Sequence, residues 1–221
     1  MFDLSLLTSN ADALLAGLWL TIRLCAGGIA LGLIGGLLLL ALRQVAGPRL
    51  AWLYRSYVGL FRGTPFLVQL YVVYYGGPHV GIDLPAEQVG LIGLAAYGTA
   101  YFAEIFRAGF EAIPRGQLEA ARDLGLSRLQ SLRWVVWPQA LSRCLPPLVG
   151  QTVILTKESS VLSIITIPEL TTVAMRIANE SFSILEPYLV LALAYWVLTL
   201  GVSLLGRHLE HRFTRHFARA A

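Results

Sequence analysis

Residues 111–146 of the chain read EAIPRGQLEAARDLGLSRLQSLRWVVWPQALSRCLP, the one long polar and basic segment between apolar runs that could each cross a membrane. Pro114 fits the first turn of a helix, because that position needs no backbone N–H. Apolar residues at three-residue spacing then predict a short helix over 117–124. Gly125 can adopt the left-handed conformation that ends helices, and we expect this helix to stop there.

The next residues predict a second short helix. Ser127 and Gln130 have the spacing of a capping box, in which each side chain bonds the backbone N–H of the other residue. Apolar residues with helical spacing follow, Leu129 among them, and Pro138 is expected to end the helix. The polar segment is therefore predicted to hold two short helices, set at an angle outside the membrane, that another protein could bind.

Composition is typical of a membrane protein. Of the 221 residues, 56% are hydrophobic and 14% charged, and the mean hydropathy is +0.65. The net charge of +4 comes from basic residues beside the apolar runs, so it does not indicate nucleic-acid binding. Cys25 and Cys144 have no spacing that indicates a metal site or a disulfide framework. Asp3 and Asp12 stand where a secretory signal would carry basic residues, so the first apolar run is expected to be a retained span.

Five apolar runs alternate with segments of opposite charge character. The predicted spans are about 13–42, 58–77, 88–110, 145–167 and 188–206. Arginine-rich segments follow the first, third and fifth spans, and by the positive-inside rule these segments are cytoplasmic. We therefore expect one all-α integral membrane domain over 1–221, with five transmembrane helices. Its N-terminus would be outside, and its C-terminus and the polar loop 111–144 would be cytoplasmic.

Two predicted spans contain residues that disrupt helices. Gly63 and Pro65 must break or bend the second span near its inner end, and the arginine-bearing segment before it is expected to be a cytoplasmic loop. The fourth span is split in the middle by residues 156–160, TKESS. A broken helix exposes backbone groups and half-helix ends, and these can bind charged ligands.

The polar segment resembles the EAA loop of bacterial ABC importer permeases. The family pattern is Glu-Ala-Ala, three residues, Gly, nine residues, Ile, one residue and Leu-Pro. In this chain those positions hold Glu119, Ala120, Ala121, Gly125, Val135, Trp137 and Pro138. The resemblance implies that this segment, called the coupling loop from here on, docks into a groove of a cytoplasmic ATPase subunit through Glu119 and apolar faces, with Gly125 fixing the bend. An ordinary amphipathic cytoplasmic loop is the plainer alternative.

Residues 61–65, FRGTP, resemble a segment of those permeases that carry polar amino acids. The resemblance extends from there to the last span. It implies the permease subunit of an ATP-driven importer for a polar amino acid, basic ones included, in a bacterial inner membrane. It also implies the partners: two ABC ATPase subunits, a second permease chain, identical or a sister, and an extracytoplasmic amino-acid-binding protein, besides membrane lipid.

The chain itself has no sequence signature of ATP hydrolysis. No Gly-Lys-Ser or Gly-Lys-Thr occurs, so it lacks a phosphate-binding P-loop. No His/Cys metal cluster and no Ser/His/Asp set stands out. We therefore expect a protein that is not an enzyme and holds no cofactor, with ATP and Mg²⁺ bound by the partner ATPase.

Charged residues at membrane depth are costly and usually have a function. Glu104 could pair with Arg107 on its own helix, or face a central cavity and contact the ammonium group of a substrate. Lys157 and Glu158 could pair with each other or across a subunit interface, and the family carries a similar lysine-containing string there, which favours a functional role. Further candidates for the substrate path are Gln69, Thr99, Gln151, Ser159 and Ser160.

Two other classes of protein are alternatives. An ion-driven secondary carrier or channel would use Glu104 and Glu158 as proton or cation sites, and it would transport without ATP or a partner. No internal repeat is visible, which counts against a carrier built from two halves. An integral membrane enzyme would need a convergent catalytic set, and none can be assembled from the sequence.

Overall fold

The computed structural model describes residues 4–45 and 47–214, and the side chains of 5–45 and 51–212. Within those ranges every regular element is a helix. The α-helices are α1 Leu4–Ser9, α2 Ala11–Val45, α3 Gly47–Gly63, α4 Phe66–Gly76, α5 Ala86–Glu111, α6 Arg115–Asp123, α7 Arg128–Gln130, α8 Trp137–Glu158, α9 Leu170–Ser181 and α10 Leu185–Thr214. Two 3₁₀ helices, Gly77–Val80 and Ser159–Ile165, and a π-helix, Ser131–Val136, complete the set.

Four helical segments of the described residues are long and apolar enough to cross a membrane. They are Ala11–Val45, Ala86–Glu111, Arg128–Ile165 and Leu185–Arg212. The first, second and fourth of these enclose three of the predicted spans. A multi-pass, all-α membrane protein was predicted, and these helices agree with it.

The predicted span 58–77 is two helices. α3 ends at Gly63 and α4 begins at Phe66, so the predicted break at Gly63 and Pro65 is confirmed. With 11 residues, α4 is about 16 Å long, short of the roughly 30 Å of a bilayer core. The arginine-bearing segment before it was expected to be a loop, which is wrong: it belongs to α3, whose Tyr54 and Val58 are buried against the bundle.

Pro138 does not end a helix, contrary to the prediction. The π-helix Ser131–Val136 leads directly into α8, of which Pro138 is the second residue. In a regular α-helix the proline ring clashes with the carbonyl four residues earlier and offers it no N–H. The wider π turn accommodates the ring, so the chain stays helical through Pro138. At the other end, α8 continues as the 3₁₀ helix Ser159–Ile165, so the predicted split over 156–160 is a change of helix type.

The core forms where α5 packs along α2. A Cβ atom added to Gly28 would lie 2.7 Å from Cβ of Leu94, and one added to Gly36 would lie 2.9 Å from the backbone nitrogen of Ala103. These glycines therefore permit a close approach that a larger residue would prevent. α5 also contacts α3, α4 and α8, which makes it the central helix of the bundle.

The segment after the fourth span is a packed helix, α9, and its first turn is capped by a buried glutamate. Glu169 is fully buried, and its two carboxylate oxygens accept hydrogen bonds from the backbone N–H groups of Thr171 and Thr172, both at 2.9 Å. The hydroxyls of Tyr195 on α10 and Thr21 on α2 lie 3.3 and 3.4 Å from the same carboxylate. Glu169 thus joins three helices, a role that the polar composition of this segment did not reveal.

Candidate functional site

The turn between α6 and α7 has the geometry that the sequence predicted. Gly125 has a left-handed backbone, with φ +75°, and its N–H donates to the carbonyl of Arg122 at 2.8 Å. The N–H of Leu126 reaches back to the carbonyl of Ala121 at 3.0 Å. Together these bonds form a Schellman motif, which satisfies the last carbonyls of α6. Gly125 therefore ends the helix, as expected.

The second short helix begins at the predicted capping box. The Ser127 hydroxyl accepts from the Gln130 backbone at 3.3 Å, and the Gln130 side chain accepts from the Ser127 backbone at 2.8 Å. Both bonds of the motif are present. The two caps fix the path of the chain between α6 and α7.

The coupling loop turns one apolar side to the bundle and another outward. Ala121 is buried, and Val136 packs with Ile113 against the first turn of α8. Leu124 and Leu129, in contrast, are 80% and 73% exposed. Apolar side chains left outside a fold in this way are typical of a protein–protein interface.

The remaining predicted coupling residues divide between these two sides. Glu119, Ala120 and Gly125 are exposed, as Leu124 and Leu129 are. Pro138 is partly buried at the start of α8. We call the outward surface, made of Glu119, Ala120, Leu124, Gly125 and Leu129, the coupling face.

Glu104 lies at the centre of a polar cluster where α3 meets α5. Its carboxylate accepts from Arg107 through two N–H groups, at 2.8 and 2.9 Å, and from the Tyr54 hydroxyl at 2.6 Å. Arg62 contributes a longer contact of 3.4 Å. The intrahelical pair with Arg107 is therefore present, and donors from two helices surround the carboxylate.

The cluster continues as a ring across three helices. Arg107 also bonds Glu111, which pairs with Arg43 of α2 at 3.2 Å. The Arg43 guanidinium lies 5.1 Å from the centre of the Tyr54 ring, and Tyr54 bonds Glu104. The ring joins the ends of α2 and α5 to the middle of α3, immediately before the coupling loop begins.

A cleft of about 750 Å³ lies beside this cluster, between α5 and α8. Its polar lining includes Arg62, Glu104, Arg107, Arg143 and Gln151. Arg143 also donates to the carbonyl of Ala112 at 2.8 Å, which ties α8 to the start of the coupling loop. Of the substrate-path candidates, the structure thus brings Glu104 and Gln151 into one cleft.

The other substrate-path candidates lie elsewhere. The amide nitrogen of Gln69 donates to the carbonyls of Phe61 and Thr64, at 2.9 and 3.0 Å, across the break between α3 and α4. Thr99 packs against α2, with its hydroxyl 3.5 Å from the carbonyl of Gly32. Each of these two side chains serves a contact between helices.

The residues around the end of α8 also separate. Ser159 is fully buried, 3.3 Å from the Tyr195 hydroxyl, and Ser160 bonds the carbonyl of Lys157. Lys157 is exposed and Glu158 is partly exposed, and the ion pairs found among the described side chains include neither. No group of three metal-binding side chains occurs in the part of the chain that the structure describes.

Sequence reasoning missed Arg62 and Arg143 as members of a site. Both had been assigned to the cytoplasmic side by the positive-inside rule, which explains a basic residue without a local partner. The signal available in the sequence was the position of Arg62, which stands directly before the helix-breaking Gly63 and Pro65.

Comparisons with known proteins agree with the geometry. The profile of the family described as "Binding-protein-dependent transport system inner membrane component" matches residues 28–215. The probable amino-acid ABC transporter permease protein YckA of Bacillus subtilis (strain 168) is 32% identical, over 98% of this chain and 96% of that protein. The arginine transport system permease protein ArtQ of the same organism is 30% identical, over 95% and 96%.

A solved structure is similar along almost the whole chain. It is described as the crystal structure of an amino acid ABC transporter with histidines, and it is 34% identical with a TM-score of 0.89. The match covers 96% of this chain and 99% of that one.

Proposed function

Because the chain belongs to the family of binding-protein-dependent transport system inner membrane components, we propose that it is the permease subunit of an ATP-driven importer for a polar amino acid, basic ones included. Relatives named as amino-acid and arginine permeases support this substrate class. The observation that carries the proposal is the coupling face, an apolar surface beside Glu119 and Gly125 on a doubly capped turn. A rigid, exposed apolar surface of this kind fits the groove of a partner subunit.

The energy comes from that partner. A separate ABC ATPase binds ATP and Mg²⁺, and its closure moves the coupling loop. A partner can shift the equilibrium between two conformations of the permease only if it binds one of them more tightly. The contact at the coupling face must therefore differ between the two conformations. The five exposed residues of this face, together with the buried Ala121 and the partly buried Pro138, are proposed to transmit the movement.

The complete importer is proposed to hold two ATPase subunits, a second permease chain, identical or a sister, and an extracytoplasmic amino-acid-binding protein. α10 supports an assembly within the membrane, because it presents large apolar side chains to its surroundings, among them Leu193, Trp196 and Leu204. Such a face fits lipid and a second permease chain.

We propose five membrane crossings with the N-terminus outside. Four crossings are the four long helical segments. The remaining crossing, second in chain order, combines the end of α3 with α4, because α4 alone is too short. Gln69 supports this arrangement: in a bilayer, backbone groups freed by a helix break must find partners, and its amide nitrogen bonds the carbonyls of Phe61 and Thr64.

The substrate path is proposed to pass the cleft that Glu104 and Gln151 line. Lys157 and Glu158 stay candidates for the same path, since a change of helix type at Ser159 brings their charges to a half-helix end. Thr99, Gln69 and Ser159 are proposed to support the path through the helix contacts described above.

The test is affinity purification of the tagged chain from its native membrane, with its companions identified by mass spectrometry. We expect a P-loop ATPase in stoichiometric amount, and we expect it to be lost when Glu119→Lys and Gly125→Val are combined. The matched control combines Glu180→Lys on the exposed side of α9 with Gly201→Val on α10, where an added side chain meets no neighbour. A chain that purifies alone and moves solute without ATP would instead be an ion-coupled carrier.

A further inference from the structure

The cleft between α5 and α8 is positively charged. Three guanidinium groups line it, those of Arg62, Arg107 and Arg143, against the single carboxylate of Glu104. That carboxylate already accepts from Tyr54, twice from Arg107 and once from Arg62. Its oxygens are therefore already bonded by donors of the protein. A cationic ligand entering the cleft would have to displace those donors.

Gln151, which also lines this cleft, has an unsatisfied donor. The residue is only 6% exposed, and its amide nitrogen is buried without a hydrogen-bond partner among the described residues. Leaving a buried N–H group unpaired is costly, so such a group needs an explanation, and a bound ligand is one. A donor beside three guanidinium groups calls for an anionic acceptor.

Arg62 is the member of the cluster that is free to exchange partners. Arg107 holds Glu104 through two short bonds, whereas Arg62 makes one contact of 3.4 Å and its side chain is 43% exposed. The Arg62 guanidinium also lies 5.2 Å from the centre of the Tyr101 ring, on the wall of the cleft. It stands two residues before the break at Thr64, where the backbone leaves the helix.

From these features we propose that the cleft is a subsite for the α-carboxylate of the transported amino acid, with Arg62 as its principal ligand and Gln151 as a second donor. The inference rests on the proposed function and adds to it the group that is recognised. A guanidinium matches a carboxylate with two parallel N–H···O bonds. At about 750 Å³ the cleft has the size of a small-molecule site.

In this arrangement Glu104 is a positioning residue. It holds Arg62 at the cleft wall in the substrate-free state, and the substrate carboxylate replaces it as the acceptor. Glu104 keeps its bonds to Tyr54 and Arg107 throughout, so the ring that joins α2, α3 and α5 stays closed. This assignment is the reverse of a Glu104 that binds the substrate's ammonium group, and the two make opposite predictions.

The experiment measures direct binding to the purified permease–ATPase complex in nanodiscs, without the binding protein. The probes are radiolabelled L-arginine or L-glutamine, whichever the wild type takes up, and the corresponding α-carboxamide, which lacks the negative charge. Wild type should prefer the amino acid. Arg62→Gln should weaken its binding about tenfold to a hundredfold, the loss expected for a hydrogen bond to a charged group, and should abolish the preference over the amide. Gln151→Leu should weaken binding less, since its donor is neutral.

Two further variants separate this proposal from its competitors. Arg55→Gln, on the same helix, should bind as wild type, because the Arg55 side chain bonds its own helix at the carbonyl of Ala51. Glu104→Gln should keep or raise the affinity for the carboxylate. A loss of affinity in Glu104→Gln with Arg62→Gln unaffected would overturn the proposal in favour of an ammonium site. Thermal melting of each variant complex identifies any that fails to fold.

Three further outcomes would also overturn it. If the effect of Arg62→Gln vanishes in nanodiscs of pure phosphatidylcholine and appears only with phosphatidylglycerol, the anion is a lipid phosphate. If the wild type takes up no amino acid at all, the proposed function itself fails. Equal binding of amino acid and amide by a wild type that transports would reject the carboxylate subsite alone.

Discussion

At the scale of single residues, Gly125 sets the direction of the coupling loop. Its φ of +75° belongs to a region that costs other L-residues roughly 1–2 kcal/mol. An added Cβ would meet no atom of the chain within 4 Å, so strain and not crowding limits this position inside the subunit. A defect in a Gly125 variant must therefore come from the strained backbone or from contact with a partner protein. Substitutions that differ in backbone strain can tell these two causes apart.

We therefore predict different outcomes for two substitutions of Gly125. Gly125→Asn should keep the turn, because Asn tolerates the left-handed conformation. Gly125→Val should distort it and reduce ATP-driven uptake in proteoliposomes at least tenfold, while the protein still inserts. Normal coupling in Gly125→Val would argue against the coupling face. Loss of coupling in Gly125→Asn as well, with an unchanged melting temperature, would locate the partner's groove directly against residue 125.

Glu169 links protonation to stability at the start of α9. Burial raises the pKa of this carboxyl above its ordinary value of 4.5, although the backbone N–H groups of Thr171 and Thr172 oppose the shift. A carboxyl with a raised pKa binds its proton more tightly in the folded state. Its contribution to the free energy of unfolding is therefore largest below pH 4.5 and falls as the pH rises through the raised pKa.

Glu169→Gln should remove this dependence. We expect the melting temperature of the variant, relative to that of wild type, to rise as the pH increases above 4.5 and to level off above the raised pKa, since only the wild type must bury a charge. The control is Glu180→Gln at an exposed position on α9, which should run parallel to wild type. Parallel curves for Glu169→Gln would mean that Glu169 keeps the same proton affinity on unfolding.

At the scale of elements, the break between α3 and α4 depends on one amide. Gln69→Leu would leave the carbonyls of Phe61 and Thr64 without their side-chain donor. We expect a loss of about 1–3 kcal/mol in the free energy of unfolding, the cost of an unsatisfied buried group. Thr64→Val removes one partly exposed hydroxyl from the same junction and should cost less. Equal stabilities of Gln69→Leu and wild type would show that the break needs no cap.

The elements also show what could be predicted from the sequence. Local signals of fixed geometry were readable: the capping box at Ser127, the left-handed Gly125 and the break at Pro65 all occur as predicted. The family resemblance drawn from the coupling loop is likewise confirmed by the match over residues 28–215. Pro138 misled the prediction, because proline ends a helix only where the preceding turn cannot widen.

The cleft could be predicted only in part. Glu104 and Gln151 drew notice as polar residues inside apolar runs, but their shared cleft depends on how α5 and α8 pack. Arg62 reaches that cleft only because α3 folds back along α5, a long-range contact without a local pattern. Glu169 was hidden for a similar reason: its partners Thr21 and Tyr195 are separated from it by 148 and 26 positions in the chain.

At the scale of the whole molecule, the number of crossings depends on α3 and α4. We predict that single cysteines at Val80 and Phe182 react with a membrane-impermeant maleimide in intact cells. Cysteines at Val45 and Trp52 should react only after permeabilisation. All four native side chains are well exposed, so reactivity reports the side of the membrane. If Trp52→Cys and Val80→Cys react from the same side, the segment between them does not cross.

The helical continuity of Arg128–Ile165 has a mechanical consequence. Its 38 residues form a rod about 57 Å long, so that tilting it by about 10° displaces one end by roughly 10 Å relative to the other. We propose that this rod acts as a lever, which the coupling loop moves at one end. Pro146 and Pro147 each remove a hydrogen bond from its interior. We therefore expect the helix to bend most easily at these two residues. Pro147 lines the cleft. A movement of the coupling loop is therefore expected to bend the helix at the cleft wall before it displaces the far end at Ile165.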